Sequence, residues 1–283
     1  MIIVTGASGF IGSNLVRELV ERGEKNIICV DYVQRPEYFK GLPIQFTPPD
    51  EFYGNIENYK NIKAIFHEGA ISSTTENDVH KLFKYNVNCT WKLIYYCRDN
   101  EIPLQYASSA SVYGNPSKEE WHNPNKDLDP LNSYARSKMQ VDHVANLVMS
   151  STKPPKLLQG MRYFNVYGPN EDHKEGQSSP YHTFKTQLKR TGKIKLFEGS
   201  KEFFRDFVSV EEVIRQKLWH FENSSSGIYD VGTGKPKSFY DVAIEVCGSP
   251  DLIEWIPMPD NLKKHYQKYS CAINNQYILA NDS

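Results

Sequence analysis

A glycine-rich turn near the start of the sequence constrains the fold more than any other feature. Residues 5–12 read TGASGFIG, follow a short apolar run and precede apolar residues at helical spacing. Gly6 permits a tight turn, Gly9 lets the backbone approach a bound group, and Gly12 lets the helix pack closely on the strand. A helix that begins here, with Phe10 and Ile11 in its first turn, points free N–H groups at anions. The pattern predicts a strand–turn–helix that receives the pyrophosphate of a dinucleotide.

Strand and helix patterns alternate from this turn to residue 165. Short apolar runs predict strands at 2–5, 27–30, 64–66, 104–107 and 157–164, and helical spacing recurs at 78–98 and 132–149. Residues 47–50 (TPPD) are expected to be irregular. This alternation predicts an α/β fold with a doubly wound parallel sheet of the Rossmann type.

Beyond residue 165 repeated prolines break the chain into shorter pieces, as expected of a smaller lobe. We therefore expect a dinucleotide-binding domain over residues 1–165, with a return segment near 203–233. A smaller substrate-binding lobe is expected from residues 166–202 and 234–283, with no helix after Tyr266.

Composition excludes several classes of protein. The 283 residues hold 33 Lys and Arg against 34 Asp and Glu, a net charge of −1 that argues against a nucleic-acid binder. Five cysteines without a Cys-x-x-Cys pair argue against a disulfide framework, and the histidines lack metal-ligand spacing, so no metal site is expected. No long apolar run predicts a membrane span, and the chain opens on a strand pattern rather than a signal peptide. We expect a soluble cytoplasmic protein.

Asp31 ends the second predicted strand and is followed by Tyr32. An acidic residue at this point of a dinucleotide-binding fold accepts hydrogen bonds from the adenosine ribose, which favours NAD. Arg35 and Lys40 follow closely and could neutralise the 2′-phosphate of NADP, so the sequence leaves both cofactors open.

Three polar residues have the pattern of an acid–base site. Tyr134 and Lys138 are four residues apart on a predicted helix and share one face. Ser109 ends a predicted parallel strand, where such sheets present ligands. A neighbouring ammonium and an oxidised nicotinamide lower the pKa of a tyrosine, so we expect Tyr134 to act as a base with Ser109 holding the substrate oxygen.

Together these features resemble the extended short-chain dehydrogenase/reductase superfamily, as do residues 162–169 (RYFNVYGP), 205–208 (RDFV) and 230–234 (DVGTG). More specific segments are similar to the ADP-glycero-manno-heptose 6-epimerase family within it. They are residues 66–76 (FHEGAISSTTE), 173–174 (HK), 196–200 (LFEGS) and 256–260 (IPMPD) leading to Tyr266.

The resemblance implies an isomerase that inverts C6 of an ADP-heptose, or of a related nucleotide sugar, by transient oxidation and reduction with a bound nicotinamide cofactor. It implies NADP, with NAD as the alternative, and assembly into a homo-oligomer. The other readings left open are a different nucleotide-sugar epimerase or dehydratase of this superfamily, and a non-catalytic NAD(P)-binding sensor. An intact Ser109, Tyr134 and Lys138 argues against the sensor.

The resemblance also assigns residues to three roles. The catalytic residues would be Ser109, Tyr134, Lys138 and Lys174. The cofactor would be lined by Gly6, Gly9, Phe10, Ile11, Gly12, Asp31, Tyr32, Glu68, Gly69, Ala70, Ile71, Ser72, Asn86, Lys138 and Val166. The nucleotide sugar would be held by Asn165, His182, Phe197, Glu198, Gly199, Ser200, Arg205 and Tyr266.

Overall fold

The computed structural model describes residues 1–121, 128–260 and 267–281. Its strands are β1 (Ile2–Thr5), β2 (Ile27–Val30), β3 (Ile44–Thr47), β4 (Ala64–His67), β5 (Leu104–Ser109), β6 (Leu158–Tyr163), β7 (Asn165–Tyr167), β8 (Ile194–Phe197), β9 (Phe204–Arg205), β10 (Phe207–Ser209), β11 (Gly227–Val231), β12 (Lys237–Ser238) and β13 (Ile253–Ile256). Its α-helices are α1 (Phe10–Glu21), α2 (Pro49–Gly54), α3 (Val79–Leu82), α4 (Cys89–Asp99), α5 (Lys118–Trp121), α6 (Ser133–Met149), α7 (Pro180–Thr191), α8 (Val210–Asn223), α9 (Phe239–Cys247) and α10 (Gln276–Asn281).

Seven strands form the main sheet in the order β11-β6-β5-β4-β1-β2-β3. The neighbours β1–β2, β2–β3, β1–β4 and β4–β5 all pair in parallel. The chain adds β2 and β3 on one side of β1 and then returns to add β4 on the other side. The predicted doubly wound α/β fold is confirmed, and its topological switch point lies between the carboxyl ends of β1 and β4, where such sheets bind ligands.

The buried strands follow directly from their sequences. Every residue of β1, β2 and β4 is buried, as expected of central strands covered by helices on both faces. On one face, Tyr106 and Leu104 pack with residues of α4 and α6 in a hydrophobic core. This core supports the ends of the strands that carry the polar residues described below.

Two expectations about local structure are wrong. Residues 47–50 are not irregular, because β3 ends at Thr47 and α2 begins at Pro49. Proline is favoured at the first position of a helix, where its missing N–H has no partner to lose. A helix also follows Tyr266, since α10 spans Gln276–Asn281.

The chain divides into two compact units, each built from three segments. The first holds Met1–Ser109, Asn132–Arg162 and Ile214–Tyr229, and therefore most of the main sheet. The second holds Ala110–Leu131, Tyr163–Val213 and Asp230–Ser283. The second unit contains three two-stranded pairings, β7–β10, β9–β12 and β8–β13, with a core between α7, α9 and β8.

Candidate active site

The glycine turn forms a cradle that side chains would fill. Gly6 has φ of +65°, and a Cβ there would lie 2.5 Å from the Gly69 nitrogen. A Cβ on Gly12 would lie 2.1 Å from the Gly6 carbonyl oxygen, and one on Gly9 would lie 3.1 Å from it. Within the turn, the buried Ser8 hydroxyl has no hydrogen-bond partner among the described residues. The cradle and this orphaned donor at the N-terminus of α1 fit a dinucleotide pyrophosphate.

Asp31 and Arg35 hold the backbone of this turn from the end of β2. Asp31 Oδ2 accepts a hydrogen bond from the Ser8 N–H at 2.9 Å, and Arg35 Nη1 donates to the Ser8 carbonyl at 2.8 Å. Asp31 also accepts from the Val33 N–H at 3.2 Å, while the side chain of Tyr32 is exposed. The guanidinium of Arg35, which stays a candidate partner for a 2′-phosphate, therefore lies beside the turn.

The segment after β4 closes on the glycine turn and is clamped by Asn86. The Asn86 amide accepts from the Ile71 N–H at 2.8 Å and donates to the Ile71 carbonyl at 3.0 Å. It also donates to Ser137 Oγ at 3.0 Å, which in turn donates to the Tyr134 carbonyl at 2.7 Å. Asn86 lies in a π-helical stretch, Phe83–Asn88, a local widening often found at functional sites. The predicted segment 69–72 and the start of α6 thus share one buried connection.

His67 is a buried bridge at the end of β4. Its Nδ1 lies 2.6 Å from Thr5 Oγ1 and its Nε2 lies 2.9 Å from Thr90 Oγ1. Thr5 Oγ1 also accepts from the Gly69 N–H at 3.2 Å. Burial, with Lys138 as a second cause, lowers the pKa of His67 to about 3. A neutral imidazole therefore links β1 to α4.

Ser109, Tyr134 and Lys138 come together as the sequence predicts. Asn132 caps α6 by accepting from the Ala135 N–H at 2.8 Å, and Tyr134 and Lys138 lie on the buried face of this helix. Ser109 and Tyr134 are joined by a side-chain hydrogen bond. Lys138 Nζ lies 6.0 Å from the centre of the Tyr134 ring and donates to the Ala107 carbonyl at 2.9 Å. The first unit alone therefore assembles all three groups.

The pKa of Tyr134 is raised in the protein alone, whereas the sequence predicted that it would be lowered. Burial raises the pKa of Tyr134, and the Ser109 hydrogen bond acts in the opposite direction. Burial lowers the pKa of Lys138 to about 8, against the charges of Glu68 and Asp142, which raise it. The protein groups by themselves thus do not produce the lowered tyrosine pKa that the sequence suggested.

The side chain of Glu68, which was predicted to line the cofactor, lies in a buried ion pair. Its Oε1 accepts from Lys217 Nζ at 2.7 Å in an ion pair whose side chains are 3% and 0% exposed. Sequence reasoning missed Lys217 because it lies 149 residues from Glu68. One signal was present: Lys217 falls on the apolar face of α8, among Val213, Ile214 and Leu218.

Lys174 belongs to the second unit, in a 3-10 turn over Asp172–Gln177. Burial lowers the pKa of Lys174, and the nearby Glu171 raises it. The buried Glu171 carboxylate organises this turn by accepting from the Gly168 N–H at 2.8 Å and from the Ser179 hydroxyl at 2.9 Å. His182 lies on α7, with Nε2 4.0 Å from the Asp172 carboxylate.

The remaining substrate candidates that the structure describes lie in the second unit, together with Val166, which was predicted to line the cofactor. Asn165 and Val166 form β7 beside β10. Phe197, Glu198, Gly199 and Ser200 form a turn at the end of β8, in which Gly199 has φ of +85° and Ser200 is buried. The Arg205 guanidinium donates to the carbonyls of Phe204, at 2.8 Å, and Gln267. Tyr266 lies outside the described residues.

Two further aspartates, to which sequence reasoning assigned no role, shape the second unit. Asp206 accepts from the Thr233, Gly234 and Ala272 N–H groups at 2.7–2.9 Å. Asp230 accepts from the Tyr113 hydroxyl at 2.7 Å and from the Asn274 N–H at 3.1 Å. Both carboxylates anchor the segment after residue 270, so their role is to hold backbone.

Among residues 1–121, 128–260 and 267–281, no group of three His, Cys, Asp or Glu side chains could hold a metal ion. Over the same ranges, none of the helices is long and apolar enough to cross a membrane.

A doubly wound sheet whose switch point carries a glycine cradle, with serine, tyrosine and lysine set beside it, defines the extended short-chain dehydrogenases/reductases, which use a nicotinamide cofactor. The chain belongs to the NAD dependent epimerase/dehydratase family, which it matches over residues 2–232.

Individual relatives agree with this assignment and with the resemblance found in the sequence. The chain is 40% identical to the ADP-L-glycero-D-manno-heptose-6-epimerase of Alkalilimnicola ehrlichii, over 99% of this chain and 91% of that one. The structure of the Helicobacter pylori ADP-L-glycero-D-manno-heptose-6-epimerase is similar with a TM-score of 0.84 and 28% identity, covering 98% of this chain and 88% of that one. The Thermus thermophilus UDP-glucose 4-epimerase, solved with NAD, shares the fold at a TM-score of 0.81 and 24% identity, over 99% and 92% of the two chains.

Proposed function

We propose that this protein is an ADP-L-glycero-D-manno-heptose 6-epimerase, which inverts C6 of its sugar by transient oxidation and reduction. The observation that carries the proposal is the 40% identity to a heptose epimerase across 99% of the chain. The assembled Ser109, Tyr134 and Lys138 support catalysis over a purely sensory role. The first unit, with the glycine cradle, is proposed to hold the cofactor, and the second to supply most contacts to the nucleotide sugar.

Proton movement in the proposed reaction belongs to Tyr134. A bound nicotinamide supplies reversible oxidation at the carbon to be inverted, whose C–H bond is too weakly acidic to ionise. The Tyr134 phenolate oxygen takes the proton of the substrate hydroxyl as that oxygen becomes a carbonyl, and the resulting Tyr134 hydroxyl returns a proton when the carbonyl is reduced. Ser109, already hydrogen-bonded to Tyr134, orients the same oxygen. The Lys138 ammonium stabilises the phenolate form.

Inversion requires proton transfer to an oxygen in two different orientations. The two epimers carry the C6 hydroxyl on opposite sides, so one base does not serve both equally. Lys174 is the proposed second base; burial lowers its pKa, which favours the neutral amine that a base requires, while the nearby Glu171 raises it. Glu171 fixes the turn that carries it. The proposed sugar-nucleotide contacts are Asn165, His182, Phe197, Glu198, Gly199, Ser200, Arg205 and Tyr266.

The direct test is to supply the purified protein with ADP-D-glycero-D-manno-heptose and, separately, with UDP-hexoses. We expect epimerisation of the ADP-heptose at C6, with no deuterium at the inverted carbon when the reaction runs in deuterated water. Lys174→Met should block full epimerisation, while Lys185→Met, which changes an exposed lysine on α7, should not. Turnover of UDP-hexoses alone would contradict the proposed substrate. Stoichiometric deuterium at C6 would contradict the redox route.

We further propose NADP as the preferred cofactor. Arg35 supports this choice because its guanidinium lies beside the glycine turn and pairs well with phosphate oxygens. Asp31 does not oppose it strongly, since both carboxylate oxygens already accept backbone N–H groups. Denatured protein should release more NADP(H) than NAD(H), and Arg35→Ala should reverse that ratio while Lys40→Ala, at an exposed site nearby, changes it less. Release of NAD(H) alone from the wild-type protein would refute the preference and leave the epimerase proposal intact.

Assembly into a homo-oligomer is also proposed. Helices α3 and α4 both lie against α6 in the first unit. They and the π-helical stretch between them expose large apolar side chains, namely Val79, Phe83, Tyr95 and Leu147. A second copy of this surface would cover them. The cytoplasmic location expected from the sequence stays a prediction.

A further inference from the structure

Lys217 is a charged side chain in a place where an apolar one would be expected. It lies on the inward face of α8 with none of its side chain exposed, while its neighbours Val213 and Ile214 pack into the core. Taking two charges out of water costs more than their attraction usually returns, so a buried ion pair is weak evidence for stability. The pair formed by Lys217 and Glu68 therefore calls for another explanation.

The Lys217 ammonium is held by several polar partners on the face of the sheet that α8 covers. Lys217 Nζ lies 2.7 Å from Glu68 Oε1 and 2.5 Å from Gln105 Oε1. Gln105 Nε2 donates to Gln159 Oε1 at 2.9 Å and to the Lys217 carbonyl at 3.0 Å. The ammonium also lies 5.2 Å from the centre of the Phe66 ring. Side chains alternate along a strand, so Gln105 points to α8 while its neighbour Tyr106 points to Asp142 on α6. Lys217 and Lys138 therefore approach the end of β4 from opposite faces of the sheet.

Glu68 connects this buried network to the glycine cradle through its own backbone. The Glu68 N–H donates to the Thr5 carbonyl at 3.0 Å. A Cβ on Gly6 would lie 2.6 Å from the Glu68 carbonyl carbon and 2.5 Å from the Gly69 nitrogen. The two segments that flank the switch point thus touch at these residues. Lys217 holds the side chain of Glu68, and the backbone of Glu68 closes the glycine cradle. The ion pair therefore fixes the peptide between residues 68 and 69.

The same carboxylate acts on the charge of the acid–base site. Glu68 raises the pKa of Lys138, as does Asp142, whose carboxylate pairs with Arg162 at 2.8 Å. Among the described residues, the buried His67 and Tyr134 also lie near Lys138. A charged Glu68 is therefore one of two anions behind the catalytic lysine.

We propose that Lys217 is a positioning residue for the cofactor, acting through Glu68 to hold residues 68–69 against Gly6. This inference rests on the proposed placement of the nicotinamide cofactor on the glycine cradle. It does not depend on which sugar the enzyme converts, because cofactor retention is measured without substrate.

The test compares Lys217→Met, Glu68→Gln and the double variant Glu68→Gln/Lys217→Met. For each, the nucleotide retained per chain after extended dialysis is quantified by absorbance after denaturation, and the thermal midpoint is measured on the same sample. Lys217→Met leaves a buried carboxylate without its cation, so both values should fall. In the double variant neither charge is left alone, so the midpoint should recover, but cofactor should still dissociate at least about tenfold faster than from wild type. Lys63→Met, which removes an exposed ion pair with Glu24 in the same unit, should change neither value.

A double variant with both wild-type midpoint and wild-type cofactor retention would overturn the proposal, because the pair would then be structural only. If the double variant does not fold, Lys217→Arg decides, since it keeps the cation. Retention within twofold of wild type supports the positioning role, and a tenfold loss at an unchanged midpoint overturns it.

Discussion

Tyr134 illustrates how much a single hydroxyl depends on its surroundings. Replacement by phenylalanine keeps the ring that lies beside Lys138 and removes only the oxygen that we propose exchanges protons with substrate. We expect Tyr134→Phe to lower kcat by about 10²- to 10⁴-fold and to leave cofactor content unchanged. Tyr96→Phe is the matched control, because its hydroxyl donates to the Ile56 carbonyl. Near-full epimerisation by the Tyr134→Phe protein would exclude this residue as the base.

Deprotonation of Lys138 with rising pH is expected to lower activity and to raise the free energy of unfolding. Burial lowers its pKa from the ordinary 10.5 to about 8. Between these values the unfolded chain holds a proton that the folded chain has released, so this residue makes the free energy of unfolding rise with pH. Across the same window the loss of the ammonium should lower kcat/KM. Denaturant unfolding at several pH values should show a smaller rise for Lys138→Met than for wild type and for Lys185→Met. Equal slopes would contradict the assigned pKa.

For individual residues, the sequence predicted contacts between positions close together in the chain and missed a contact between positions far apart. Tyr134 and Lys138 are one helical turn apart, and Ser109 ends a strand, so spacing alone indicated their proximity. The ion pair between Glu68 and Lys217 joins residues 149 positions apart, which no local pattern encodes. Its only trace was a lysine among the apolar residues of one helix face.

Among the elements, the turn between β1 and α1 is the most sensitive to a single methyl group. Gly12→Ala would place a Cβ 2.1 Å from the Gly6 carbonyl oxygen, so the helix and the turn must separate. We expect a destabilisation of about 1–3 kcal/mol together with loss of bound cofactor. Gly54→Ala is the control, because a Cβ at the end of α2 meets no atom within 4 Å. Equal cofactor content in the two variants would show that the cradle does not need this close packing.

Prediction of elements succeeded where strands are fully buried. The predicted strands at 2–5, 27–30 and 64–66 match β1, β2 and β4, whose residues form continuous apolar runs. The strand β3 was missed because its residues are only partly buried or exposed, so no continuous run appears. The helix α2 was missed because consecutive prolines suggested a break, whereas Pro49 occupies the first helical position.

At the scale of the whole molecule, the proposed oligomer makes a measurable prediction. Phe83→Glu adds a charge to the exposed apolar surface of α3, α4 and α6, and should reduce the mass seen by light scattering to that of a single chain. Trp255→Glu alters another exposed aromatic residue, on β13, and should leave the mass unchanged. A wild-type protein that already runs as a single chain would refute assembly through this surface.

The fold class was predictable because alternating strands and helices admit few arrangements, and the doubly wound order follows from them. The division of the chain was harder to predict because each unit collects three separate segments. Segment 214–229 lies in the first unit and within the return segment expected near residues 203–233, but local helical and strand patterns do not fix the bounds of that return.

That interleaving has a consequence for synthesis. A ribosome adds roughly 5–20 residues per second, and the strand that completes the sheet edge beside β6, β11, is made only after residue 226. Until then a nascent chain carries an open sheet edge, and before residue 217 is made Glu68 cannot form its ion pair with Lys217. Ser109, Tyr134 and Lys138, the proposed catalytic residues, are all translated well before the partner that we propose steadies the cofactor. Cofactor capture is therefore expected to be among the last events in the maturation of this enzyme, and a chain stalled before residue 214 would be a client for chaperones rather than a partial catalyst.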